Sequence, residues 1–313
     1  MTKNNNIYLL GNIAIDISFK DQKPTNAIIG GSASNACISL SRLGVNCSLV
    51  TEIGDDDIGS LILKSLSEEK ADTKFVNICK GKRSTIIIAM LDNKGEASYT
   101  IYDDKSLPCA ISPKLSINKN DILFYSGYFS VDKRQHHIIK AIVERAKDNG
   151  AITIFDPNIR RSINLQDPET RKHLEVNIKN ATIVRGSDQD FKVLCNANSS
   201  DEAWAYVQSL GVQYFIYTQN KDDVYFYTNE YILKEKVPEI ETATTIGAGD
   251  NFDAGICSTV STLIQHKSIE QFSQEDWKKV IHNGILLSSI VCQTKENYLP
   301  KDQIKQIKNL LQA

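Results

Sequence analysis

Apolar positions along this chain follow two alternating rhythms. Runs of adjoining apolar residues at 7–15, 47–53, 121–129, 151–156, 182–185 and 214–218 have the length and composition of buried strands. Between them lie segments with helical spacing, carried by Ala33, Cys37, Leu40 and Leu43, by Leu61, Leu63 and Leu66, and by Ile138, Ile142 and Ala146. Several of these helices stop at glycine, as at Leu43-Gly44, Asn149-Gly150 and Leu210-Gly211, and a strand follows at once. Repeated units of this kind predict a mostly parallel sheet covered by helices on both faces, with ligands at the carboxyl ends of the strands.

One section breaks the alternation. Residues 84–103, STIIIAMLDNKGEASYTIYD, are rich in Ile, Thr and Tyr around Asp92-Asn93-Lys94-Gly95, which predicts a β-hairpin. With the extended stretch 13–29 it could form a small separate sheet. An edge hairpin on the main sheet and a lid or dimer surface are equal readings of this pattern. The last third, after Gly249, reads as three helices at 251–265, 274–291 and 301–311.

Composition narrows the function. Thirty-six basic against 38 acidic residues give a formal charge of −2, which argues against nucleic acid or an anionic membrane as partner. The N-terminal apolar run is too short and too polar at its flanks for a signal peptide or membrane span. Seven cysteines without CxxC spacing read as reduced thiols of a cytoplasmic protein, Cys37 and Cys257 being core residues.

Two glycine turns carry the candidate chemistry. In TTIGAGDNFDAG, residues 244–255, Phe252, Ile256, Val260 and Ile264 recur every four residues, so a helix starts near Asp250. Gly247 and Gly249 leave its first N–H groups uncovered, which suits an anion. The competing reading makes Gly-Ala-Gly a turn and Asp250 an ordinary N-cap. GxxxxGK[ST] and GxGxxG are both absent from the sequence. The second turn, Gly30-Gly31-Ser32-Ala33-Ser34-Asn35-Ala36, again sets glycines before a helix, with Ser32 or Ser34 available as a cap.

Together these two stretches, GGSASN and TTIGAGD, resemble the ribokinase-like, PfkB-type carbohydrate kinases over nearly the full length. Gly11 and Asp16 in LLGNIAID, the segment Gly54-Asp55-Asp56-Asp57-Ile58-Gly59, the hairpin at 84–103 and Asp156-Pro157-Asn158-Ile159-Arg160 are similar to further family segments in the same order. The resemblance implies one α/β domain over 1–313: a three-layer sandwich with a mostly parallel central sheet and a small β-lid from segments of about 13–29 and 84–104. It implies an ATP-dependent sugar kinase using Mg²⁺. Asp250 would be the base, with the backbone of Gly247, Ala248 and Gly249 facing the γ-phosphate. Asp16, Gly30, Gly31, Asn35 and Arg160 would hold substrate. Ser187, Thr218, Asn220, Gly247, Gly249 and Asn283 would face the nucleotide, with Asp190 toward the metal. Sugar and ATP are the expected partners, with a homodimer through the lid.

Three positions depart from the family pattern. Thr244 replaces an Asp that helps order a monovalent-cation loop, so K⁺ activation is left open. Ser187-Asp188-Gln189-Asp190 replaces NxxE, which arranges magnesium through water, and Thr218-Gln219-Asn220 replaces Thr-x-Gly in the nucleotide loop. A nucleoside kinase, with Tyr99, Tyr102 and Phe129 as apolar cover, is the alternative within the family. A sugar-binding regulator that has lost transfer is the alternative outside enzymes.

Overall fold

The computed structural model describes residues 5–91, 97–104, 115–159 and 163–312. Thirteen strands and nine α-helices are described. The strands are β1 (Ile7–Leu10), β2 (Ala14–Lys20), β3 (Lys23–Gly30), β4 (Cys47–Gly54), β5 (Asp72–Cys79), β6 (Ile86–Leu91), β7 (Ala97–Tyr102), β8 (Ile122–Ser126), β9 (Ile152–Asp156), β10 (Ile183–Ser187), β11 (Tyr214–Thr218), β12 (Asp223–Tyr227) and β13 (Ile232–Lys236). The helices are α1 (Ser32–Leu43), α2 (Asp57–Glu68), α3 (His136–Asp148), α4 (Pro168–Asn180), α5 (Asp188–Cys195), α6 (Ser200–Ser209), α7 (Ala248–Leu263), α8 (Gln274–Cys292) and α9 (Ile304–Gln312).

Nine strands form the main sheet in the order β13-β12-β11-β10-β9-β8-β1-β4-β5. All neighbours pair in parallel except β11–β12 and β12–β13, which close one edge as antiparallel hairpins. Strand alternation splits the core in two. Ile7, Leu9 and Phe124 face the layer of α1, α2, α7 and α8, whereas Tyr8, Leu10 and Tyr125 face α3 to α6.

The apolar run 7–15 is in fact two strands of different sheets. β1 ends at Leu10, and Gly11 and Asn12 turn the chain into β2 of a second, four-stranded sheet ordered β3-β2-β6-β7. Apolar character continues across the turn because Ile13, Ala14 and Ile15 are buried like the residues of β1, so the pattern alone hides the break. The hairpin β6–β7 belongs to this second sheet rather than to the edge of the first. The expected strand 121–129 is likewise shorter and gives way to a 3₁₀ turn at Tyr128–Ser130.

One cysteine departs from expectation. Cys37, Cys47, Cys195, Cys257 and Cys292 are free, but Cys79 is disulfide-bonded. Among the described residues no helix is long and apolar enough to cross a membrane.

Candidate active site

β1 has β4 on one side and β8 on the other, so the connections diverge there and open a crevice beyond its carboxyl end. Two helix starts border that crevice. The N-cap of α7 is Gly247, at φ 80°, with no side chain closing the first turn. A Cβ on Gly247 would stand 2.3 Å from the Asn297 carbonyl oxygen, so only glycine fits. Because Gly247 occupies the cap, Asp250 is the third residue of the helix, which sets aside its reading as an N-cap. Its Oδ2 instead accepts from Asn35 Nδ2 at 2.8 Å.

Asn35 comes from the other helix start. The N-cap of α1 is Gly31, at φ 110°, where a Cβ would meet the Asn12 carbonyl oxygen at 2.3 Å. Ser34 does not cap the helix: its Oγ donates back to the Gly30 and Gly31 carbonyls, each at 2.8 Å. Asn35 Oδ1 is buried and meets no hydrogen-bond donor.

Asp16 reaches the same place from β2, where its neighbours across the small sheet are Ile28 and Ile87. Gly30 makes room for it, since a Cβ there would lie 2.0 Å from Asp16 Oδ2. Burial, and then the charge of Asp250, lift the Asp16 carboxyl to about 7. Its Oδ1 is also buried without a donor. Unsatisfied buried acceptors are uncommon in native folds, and here two of them converge beside Asp250. Such an arrangement can receive the hydroxyls of a small polar molecule.

The polar cluster beneath the α7 turn was not legible in the sequence. Asn251 ties the turn down: its Nδ2 donates to the Gly247 carbonyl at 2.8 Å and to the Asn297 carbonyl at 2.9 Å. Arg185, on β10, lies directly behind Gly249, whose added Cβ would meet Nη1 at 3.0 Å. The guanidinium donates to Asp156 Oδ2 at 3.0 Å and to Thr218 Oγ1 at 3.1 Å. Burial opposes its charge, but Asp253, Asp156 and Asp190 outweigh that and hold it above its ordinary value. No local pattern marks Arg185 or Asn251, because their partners lie on distant segments.

The remaining expected residues serve the scaffold as well. Ser187 and Asp190 form a capping box at the start of α5, and Asp190 Oδ1 accepts from the Ile159 N–H at 2.7 Å. Both oxygens of Asp190 are thus engaged within the chain. Among the described residues no three His, Cys, Asp or Glu side chains converge as a metal site. Asn220 adopts φ 46°, the left-handed conformation natural to the glycine of Thr-x-Gly. Asn283 is turned into the α7–α8 contact, where Nδ2 donates to Thr259 Oγ1 at 2.9 Å. Asp56 caps α2 through Gly59 and also accepts from Ser84, fixing the entry to β6. Phe129 is buried in the core, whereas Tyr102 is 61% exposed. Arg160 lies outside the described residues.

The family described as pfkB family carbohydrate kinase matches residues 5–303. Among curated proteins, the Arabidopsis thaliana protein described as probable fructokinase-2 is 25% identical over 278 residues, covering 87% of this chain and 82% of that one. Aminoimidazole riboside kinase of Salmonella typhimurium is 23% identical over 259 residues, covering 82% of this chain and 81% of that one. Among solved structures, aminoimidazole riboside kinase from Salmonella enterica, complexed with aminoimidazole riboside and an ATP analog, superposes with TM-score 0.83 at 21% identity, over 97% of this chain and 100% of that one. Fructokinase from Vibrio cholerae O395, with fructose, ADP and calcium bound, gives TM-score 0.85 at 17% identity, over 97% of this chain and 99% of that one. The fold is therefore ribokinase-like, and the chain belongs to the pfkB family of carbohydrate kinases, phosphotransferases with an alcohol group as acceptor.

Proposed function

We propose that this chain transfers the γ-phosphoryl group of ATP to a hydroxymethyl oxygen of a small sugar, with Asp250 as the base. The observation that carries this reading is the convergence of Asp16, Asn35 and Asp250 beside the turn Gly247–Gly249, which no side chain caps. Asp16 and Asn35 would accept the sugar's hydroxyl protons and so satisfy their buried oxygens. That leaves one hydroxyl toward Asp250, which takes its proton as the oxygen attacks phosphorus. The turn's N–H groups and the α7 dipole favour the negative charge on the transferred group.

Mg²⁺ would neutralise charge on the phosphates. With the Asp190 oxygens already engaged, it would be held by phosphate oxygens and water rather than by an all-protein cage. Thr218 and Asn220 line the nucleotide loop in this reading, and Ser187 and Asn283 support it through the helices they hold. K⁺ activation gains no support from Thr244, whose Oγ1 accepts from the Ile246 N–H at 3.1 Å.

Fructose-, ribose- or ketodeoxygluconate-like sugars fit the polar site. A nucleoside acceptor is the second reading, favoured by the likeness to aminoimidazole riboside kinase. Of the aromatic cover it needs, Phe129 is buried in the core and Tyr102 is exposed, while the side chain of Tyr99 lies outside the described residues. The intact α7 turn favours catalysis over a role as a regulator without turnover. A nucleotide-consumption assay across sugars and nucleosides tests all three: turnover with a free sugar supports the proposal, turnover with nucleosides alone replaces it, and sugar binding without turnover supports the regulator.

The four-stranded sheet acts as the lid, since its β2 already delivers Asp16. Exposed Met90 and Tyr102 on the face away from Asp16 suit contact with a second copy. Light scattering of the wild type and of Tyr102→Glu tests the dimer, which the charge should weaken. For Arg160 we propose a charge-assisted contact to substrate or phosphate. Unchanged KM and kcat in Arg160→Ala would remove that role.

A further inference from the structure

One buried group remains without a part in this scheme. Asp253 lies one turn beyond Asp250 on α7 and is 0% exposed. Neither of its oxygens meets a hydrogen-bond donor, yet the carboxyl lies within hydrogen-bonding reach of Asp156. Two acceptors in contact can be joined only by a proton. The nearest cation, Arg185, stands with Nη1 3.7 Å from Asp253 Oδ2, too far to donate to it.

The surrounding charges decide where that proton sits. Facing this pocket are Asp156 from β9, Arg185 from β10 with Asp190 of α5 beyond it, and Asp250 and Cys257 on α7 itself. Asp156, Asp253 and Arg185 carry one negative charge too many if both carboxyls ionise, and the two carboxyls are almost wholly buried. Asp156 already accepts from Arg185 Nη1 at 3.0 Å and from the Asn158 N–H at 2.9 Å, which favours its charged form. Asp253 accepts from no donor, so it keeps the proton. In agreement, burial lifts Asp253 well above the ordinary carboxyl range, with Arg185 opposing.

We propose that Asp253 is a positioning residue: as a neutral carboxyl it donates to Asp156, and the pair fixes Arg185 behind Gly249, where its charge bears on the arriving phosphoryl group. An ionised Asp253 would compete with Asp156 for Nη1 and draw the guanidinium away from the turn. This inference rests on the kinase reading given above.

Three variants and one spectrum test it. Asp253→Ala should lower kcat about 10- to 100-fold through lost positioning, with the sugar KM little changed. Asp253→Asn, whose amide can still donate to Asp156, should restore kcat to within about threefold of wild type. Arg185→Lys, which lacks the planar fork, should lose as much as Asp253→Ala. Wild-type kcat should fall on the alkaline side as Asp253 ionises, and the Asn variant should lack that limb. At a pH above the Asp16 value, the infrared band of a protonated carboxyl should be present in wild type and absent from Asp253→Asn.

A wild-type kcat in Asp253→Ala, or an Asn variant as impaired as Ala, would overturn the proposal. So would an infrared band that survives in Asp253→Asn. Absence of turnover by the wild type on every sugar and nucleoside would instead remove the kinase reading, while the infrared difference would still decide the proton on Asp253.

Discussion

Asn35 and Asp250 stand 215 positions apart in sequence, and the amide of the first donates to Oδ2 of the second at 2.8 Å. Each lies in the first turn of a helix whose N-cap is a glycine. One hydrogen bond thus joins the proposed sugar-holding turn to the proposed phosphoryl-transfer turn. In Asp250→Asn the new Oδ1 can still accept from Asn35, so stability should change by less than about 1 kcal/mol, the scale of one charge at a helix N-terminus. Turnover should fall roughly 10²- to 10⁴-fold, the usual worth of a positioned general base. Thermal unfolding, steady-state kinetics and calorimetry with the sugar would show stable protein, retained binding and lost catalysis. Normal turnover in this variant would remove Asp250 as the base.

Asp16 should make sugar binding depend on pH. Its carboxyl is lifted to about 7, whereas sugar hydroxyls donate to the ionised form. Below that value the free protein must release a proton to bind, so affinity should drop up to about tenfold per pH unit. Calorimetry in buffers of different ionisation enthalpy should detect this proton release near neutrality. Affinity that stays level from pH 8 to about pH 5 would contradict the assignment.

The same shift bears on stability without ligand. A carboxyl whose folded value lies above its unfolded one stabilises nothing extra at low pH. It costs stability as pH rises from the unfolded value near 3.8 to the folded value of about 7. Asp16→Asn should therefore raise the melting temperature of the sugar-free protein above neutrality and leave it nearly unchanged near pH 4. An equal shift at both ends of that range would point to repacking rather than charge.

Gly247→Ala should fail twice over. The left-handed φ of 80° costs a residue with a Cβ roughly 1–2 kcal/mol, and the contact with the Asn297 carbonyl forces the turn to move. Chemical denaturation should report that loss, with nucleotide turnover reduced more than sugar binding. A fully active and stable variant would mean that the turn relaxes freely.

Asn251→Ala removes both side-chain bonds that hold the Gly247 and Asn297 carbonyls and leaves Ser39 Oγ without its acceptor. Unsatisfied buried groups of this kind cost about 1–3 kcal/mol each, so unfolding should shift by that order. If kcat falls further than the shared loss of stability explains, Asn251 also sets the geometry of the turn.

Local chemistry was readable in the sequence, and distant chemistry was not. The glycines at 31 and 247 announce themselves because a positive φ at a helix start is a local requirement. Asn35 and Asp16 followed from the resemblance, whereas Arg185, Asn251 and Asp253 acquire meaning only when β9, β10, β11 and α7 meet. Strands β5, β12 and β13 escaped detection because each carries charged or polar residues on an exposed side, as ILKEK in β13 does. The metal-side reading of Asp190 came from its place in a motif, whereas the hydrogen bonds of its two oxygens to Ser187 and Ile159 are visible only in the fold.

The four-stranded sheet is assembled from two separate stretches of chain, one between β1 and α1 and the other between β5 and β8. Its strand β3 passes into α1 through Gly31 alone. Part of the proposed acceptor surface, Asp16 on β2, is therefore carried on an insertion, while the turn proposed to handle the phosphoryl group is built at the far end of the sequence. Changes in the insertions can alter which alcohol is accepted and leave the α7 turn untouched. Descent within such a lineage can diversify its acceptors while inheriting one reaction.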